Sequence, residues 1–166
     1  MKYLVAAIES ETAVFGIEGD DAVNLTALNL AIGSDLMALI HDPALAPDTS
    51  GAPRVPVASL TPALPVAAPG TIICLGLNYV EHIKEGGYDI PDYPALFMRG
   101  RNSIMAAGQP MVRPSCSETL DYEAELMLII GKGGRHISEA DALSHVFGYT
   151  VFNDGSVREY QRKTHQ

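Results

Sequence analysis

Glu123 and Glu125 stand two apart in "DYEAELMLII", a segment that otherwise runs apolar as far as Ile130. In an extended strand, residues i and i+2 project from the same face. The two carboxylates therefore point together, while Ala124, Leu126, Leu128 and Ile130 line the opposite face. Strand glutamates are ordinarily solvated, and that is the plain reading. Here the glutamate face continues into Met127 and Ile129, which reads as a covered surface. Two neighbouring carboxylates in a partly dry site repel each other, and each is costly to desolvate. A divalent cation relieves both penalties, and oxygen-only ligands point to a hard ion such as Mg²⁺, Mn²⁺ or Ca²⁺ rather than zinc. A third carboxylate is then expected. "FNDGS" offers Asp154 at the end of another strand-like run, although Asn-Asp-Gly-Ser is also ordinary turn chemistry; the two roles are compatible.

A second constellation lies upstream. His82 and Glu85, in "NYVEHIKEGG", are three apart, which on one helical turn brings imidazole and carboxylate within reach of each other. A carboxylate that accepts one ring N–H orients the imidazole and raises its basicity, leaving the other nitrogen to take a proton from water. An exposed helical His–Glu pair is the alternative. Gly86 and Gly87 would let this segment move as a lid. Arg158, Gln161 and Arg162 follow Asp154 closely; an arginine there could fork a substrate carboxylate, or the run could be a solvated charged helix.

The elements that must position these residues can be read from periodicity. Residues 3 to 8 and 13 to 17 are short apolar runs, rich in Val and Ile, that read as a hairpin followed by the turn "EGDD". "LTALNLAIGSDLMALI" has near-helical apolar spacing, interrupted at Gly33. From His41 to Gly70 the chain holds seven of its eleven prolines, each lacking a backbone donor, so an extended connection with little regular structure is expected. "TIICLGLNY", "YPALFMRG", "YEAELMLIIG" and "GYTVFND" read as strands. Ser138, with Asp141 three residues on, resembles a capping box opening a short amphipathic helix that includes Ala140, Leu143, Val146 and Phe147. These patterns predict a small N-terminal domain over 1–42, a Pro-rich linker over 43–70 and a second domain over 71–166.

Composition narrows the partners. With 47% hydrophobic residues the chain can bury a core, and 11 basic against 20 acidic residues give a formal net charge of -9. Without a basic run, binding to nucleic-acid phosphates or anionic membranes is not expected, and a cation or small molecule fits better. The apolar opening ends at Glu9, too short for a signal core or a bilayer span, so a cytoplasmic protein is expected. Of the two cysteines, Cys74 sits in an apolar run and reads as a small core residue, while Cys116 reads as loop; no disulfide is expected.

"GLNYVEHIKE", "DYEAELMLIIGK" and "GYTVFNDGSVREYQ" together resemble the successive signatures of the fumarylacetoacetate hydrolase family, in order and at fitting separations. The resemblance covers residues 70 to 166 and, more weakly, 1 to 40. It implies an α+β architecture: a small N-terminal α/β domain, followed by part of the mixed β-roll that forms the catalytic domain, usually in a homodimer. It also implies that Glu123, Glu125 and Asp154 are the ligands of an Mg²⁺ or Mn²⁺ site. By the same likeness His82 and Glu85 form the catalytic dyad, and Arg158 and Gln161 contact substrate. Such enzymes act on β-dicarbonyl acids. They hydrolyse C–C bonds in acylpyruvates, decarboxylate oxaloacetate or isomerise hydroxymuconates, and in each the metal chelates the α-keto-acid end and stabilises an enolate. A metal-dependent hydrolase of 2,4-diketo acids is the first expectation, with isomerase or decarboxylase activity at the same site and a non-catalytic binding module as alternatives. Tyr88 and Tyr93, in "GGYDIPDYP", are candidates to meet the substrate tail.

The chain departs from the family pattern where it stops, at "QRKTHQ". Family members continue through a "GK…D…GP" segment carrying a lysine near the substrate, and then through the rest of the roll. The expectation is open sheet edges here, and an isolated 166-residue chain that binds metal weakly and turns over poorly.

Overall fold

The computed structural model describes residues 1–87, 89–161 and 163; Tyr88 and Arg162, named above, lie outside them. The chain forms two compact units. One combines Met1–Pro65 with the described residues from Ala106 to Lys163, and the other is Val66–Met105.

The first unit opens with β1 (Lys2–Ile8), β2 (Glu11–Glu18) and β3 (Asp21–Asn24), an antiparallel meander with Leu4 opposite Phe15 and Ile17 opposite Ala22. Gly19, at φ 67°, turns the chain between β2 and β3. Alternation gives the sheet two apolar faces. Ala6, Ala13, Phe15 and Ala22 are buried on one, against Leu4, Ile17, Val57 and Leu60. Val5, Val14 and Val23 share the other and are equally dry. Asn24 caps α1 (Leu25–Leu28) by accepting from Ala27 N, and Leu25 reaches the surface left open by Gly16. The helical stretch predicted to follow is broken into α1, a 3-10 turn at Leu30–Ile32 and α2 (Met37–His41), because Asn29 and Gly33 end the first two pieces.

The Pro-rich segment is not structureless. Its β4 (Val55–Pro56) pairs with β3 and its β5 (Thr61–Pro62) with β1, giving the sheet order β4-β3-β2-β1-β5. Proline is tolerated because both strands lie at the sheet edge, where a missing N–H interrupts no ladder.

In the second unit, β6 (Ile72–Gly76) pairs antiparallel with β7 (Ala95–Arg99), and α3 (Val80–Glu85) lies between them in sequence. Among its described residues Ile72 and Ile83 are buried, whereas Cys74, expected in the core, is half-exposed.

The first unit then resumes with a long ribbon. Its strands are β8 (Leu120–Asp121), β9 (Ala124–Ile130), β10 (Val146–Asn153) and β11 (Ser156–Val157), followed by α4 (Arg158–Gln161). Strand β9 pairs with β10 and β8 with β11, both antiparallel. Ser138 caps the segment before β10 as expected, accepting from Asp141 N. The element it opens is a 3-10 helix, Glu139–His145, and Val146 and Phe147 belong to β10 instead. A bulge between Val146 and Gly148 accompanies stacking of the Phe147 ring on Tyr3, with centroids 6.1 Å apart.

Candidate functional site

The ribbon's ladder is interrupted once. Between β8 and β9 lie Tyr122 and Glu123, and across from them, between β10 and β11, lie Asp154 and Gly155. At the interruption Asp154 N donates to Glu123 O at 2.9 Å, and Glu123 N donates to the Asn153 side-chain oxygen at 3.0 Å. Glu125 pairs with Phe152, two residues along on each strand, so Glu123, Glu125, Phe152 and Asp154 occupy one face.

That face is the drier one. Asp154 is 4% exposed, and Glu123, Glu125, Met127 and Ile129 are all intermediate. The opposite face, with Leu126 at 63% and Ile130 at 60%, is the open one. The glutamate face expected to be covered from Met127 and Ile129 is half-buried, with only Asp154 fully sheltered.

Arg158 supplies the positive charge. Its Nη1 is ion-paired with Glu123 Oε1, and its Nε and Nη2 donate to Asp121 Oδ2 at 3.0 and 2.9 Å. Nη1 also donates to Gln161 Oε1 at 3.2 Å. Burial favours the neutral guanidine, but the hydrogen bond to Asp121 and the charges of Glu123 and Asp121 outweigh it and push the arginine pKa up. Asp121 carried no signal in the sequence, since the contact that gives it a role spans 37 residues.

His82 and Glu85 lie on α3, and both are exposed. The helix ends at Gly86, whose N–H donates to His82 O, and Gly87 follows at φ 70°. Among the described residues no hydrogen bond joins the two side chains; Lys84 instead pairs with Glu81 at 2.9 Å. Tyr93 is also exposed.

The donor chemistry fits a hard divalent cation: three carboxylates share a half-dry patch, and one of them is almost fully buried. Among the described residues no group of three His, Cys, Asp or Glu side chains is already gathered as a metal centre. The backbones of Glu123 and Asp154 are nonetheless hydrogen-bonded neighbours. The clefts beside Ile8 and Leu60 and beside His41 and His145 hold none of the predicted site residues. Carboxylate chemistry, not concavity, marks the ribbon break.

Comparison with known proteins identifies the family and the fold. The chain is 39% identical over 111 residues to a human mitochondrial oxaloacetate tautomerase; the match covers 67% of this chain and 35% of that protein. It superimposes on fumarylacetoacetate hydrolase from psychrophilic Exiguobacterium antarcticum with a TM-score of 0.81 and 30% identity, covering 98% of this chain and 58% of that one. Maleylpyruvate hydrolase from Sphingobium sp. SYK-6, solved with manganese(II) and pyruvate, gives a TM-score of 0.76 and 26% identity over 95% of this chain and 60% of that one. The chain thus spans about a third of the tautomerase and somewhat over half of each solved relative. The family model for the fumarylacetoacetate (FAA) hydrolase C-terminal domain matches residues 71–166. Through that match and its α+β fold, the chain belongs to the fumarylacetoacetate hydrolase family.

Proposed function

We propose that this chain carries the carboxylate half of a divalent-metal-dependent site acting on 2,4-diketo acids, with C–C bond hydrolysis as the reaction. The observation that carries this reading is the ribbon break, which sets Glu123 beside Asp154 on the face that Glu125 shares. Glu123, Glu125 and Asp154 would hold Mg²⁺, Mn²⁺ or Ca²⁺. When bound, the ion would supply Lewis-acid polarisation of the substrate's α-keto-acid oxygens. Arg158 and Gln161, bonded to each other in α4, would give the substrate carboxylate a polar border. His82 would take a proton from water, with Glu85 orienting the ring. The substrate is a small dicarbonyl acid, and cytoplasmic placement and homodimeric assembly belong to the same proposal. Identity to an oxaloacetate tautomerase favours enol–keto isomerisation as the second reading, since that reaction would use the same acids and the same proton-handling residue.

The test is a screen of acylpyruvates, oxaloacetate and hydroxymuconates with Mn²⁺, with and without EDTA, on the 166-residue chain and on one extended past Gln166. Metal-dependent turnover, stronger in the extended chain, is expected. Substituting Glu123→Ala should abolish Mn²⁺ binding. His82→Ala should lower turnover at least a hundredfold, at the low end of what general base catalysis contributes, and leave the Mn²⁺ dissociation constant unchanged. Turnover indifferent to EDTA would defeat the proposal.

A further inference from the structure

The Asp121 carboxylate stands outside every role assigned above, yet it holds the guanidinium of Arg158 by two bonds, through Nε and Nη2. We propose that Asp121 and Arg158 form a clamp that orients the Glu123 carboxylate toward the cation, with Asp121 a positioning residue that acts through Arg158. The proposal rests on the metal-site reading.

Two bonds from adjacent nitrogens converge on the single oxygen Oδ2 and anchor one edge of the planar guanidinium, and contacts at Nη1 fix its remaining rotation. Nη1 meets Glu123 Oε1, with Gln161 Oε1 as its second acceptor at 3.2 Å. One oxygen of Glu123 is committed in this way, and Oε2 is the oxygen presented to an ion. Charge supports the same assignment. A lone arginine beside a cation site would repel the cation, whereas an arginine already matched by Asp121 orients Glu123 without adding net positive charge.

The clamp is also built into the ribbon. Asp121 pairs with Ser156, and Arg158 follows β11 directly, so both ends ride on the short ladder next to the break. The Glu123 backbone is pinned from the other side by Asn153 and Asp154. Glu123 is therefore fixed at main chain and side chain by residues from both sides of the interruption. With Arg158 and Glu123 side chains 23% and 21% exposed, the contact is sheltered enough to hold geometry.

The test is calorimetric titration of the chain with Mn²⁺, with unfolding midpoints measured alongside. Asp121→Asn and Arg158→Gln should each weaken binding about tenfold or more, the scale on which outer-shell partners act. The double variant should bind no more weakly than Arg158→Gln alone. Arg158→Lys should not restore affinity, because an ammonium lacks the fork. Glu123→Ala separates the two levels: if it leaves Mn²⁺ binding intact, the metal-site reading falls and the clamp falls with it. If Glu123→Ala abolishes binding while Asp121→Asn and Arg158→Gln leave it unchanged or tighter, the clamp alone is overturned. Additive losses in the double variant would equally overturn action through Arg158. Should Arg158→Gln fail to fold, the near-isosteric Asp121→Asn and the charge-retaining Arg158→Lys decide the question by the same readout.

Discussion

At the scale of single residues, Asp154 is the most sheltered of the three acids, at 4% exposure. Asp154→Asn keeps the shape of the side chain and removes its capacity to carry a negative charge, and it should abolish Mn²⁺ binding. A Mn²⁺ titration checks this, with denaturant unfolding in EDTA establishing that the variant folds. A folded variant that binds Mn²⁺ as tightly as wild type would show that Asp154 is not a ligand. Two of the acids, Glu123 and Glu125, were legible from sequence because strand alternation is a local rule. Asp121 was not, because only the pairing of β8 with β11 brings it to Arg158.

At the scale of elements, the proline-rich strands are held by side chains as much as by their short ladders. Glu18 on β2 is ion-paired with Arg54 and accepts from Thr49 Oγ1 at 2.7 Å, which ties the segment before β4 to the meander. The hydrogen bond from Thr49, then that from Arg54, pull the Glu18 pKa below the ordinary glutamate range. A depressed acid contributes stability that is present above its unfolded pKa and lost as pH falls through its folded one. Urea midpoints followed down through the ordinary glutamate range should therefore drop more steeply for wild type than for Glu18→Gln. Parallel profiles would mean that the contact does not anchor the segment. Periodicity located β1, β2, β9 and β10 because each has an alternating face. It missed β4, β5, β8 and β11 because two-residue strands have no period to read, and it missed the short β3 where the chain read as a turn leading into a helix. It also read a helix into Val146 and Phe147, where the bulge puts consecutive apolar residues in a strand.

At the scale of the whole molecule, each unit leaves an apolar sheet face open. In the ribbon, Leu126, Leu128 and Ile130 share a face with Tyr149 and Val151, and Val151 is 82% exposed; in the second unit Ile73, Leu75, Leu96 and Met98 form another. Contiguous apolar surface of this kind is uncommon on a soluble monomer. The isolated chain should enhance the fluorescence of an apolar dye such as ANS. Leu126→Lys with Val151→Lys should reduce the signal at least twofold without changing Mn²⁺ affinity, since these side chains point away from the acids. An unchanged signal would place the dye elsewhere. The alternation of β9 identified this face from sequence but not its exposure, because which side of a strand is covered depends on elements distant in the chain.

The larger unit is assembled from two stretches separated by the whole of Val66–Met105. During synthesis the meander can form as soon as it emerges, but Tyr3 must wait for Phe147, more than a hundred residues later, before the two rings stack. Closing so long a loop is slow compared with forming a local hairpin. The ribbon that bears the acids is thus the last part to gain its footing on the N-terminal sheet. Nascent chains halted before Phe147 should hold a protease-resistant meander yet lack any trace of cation affinity.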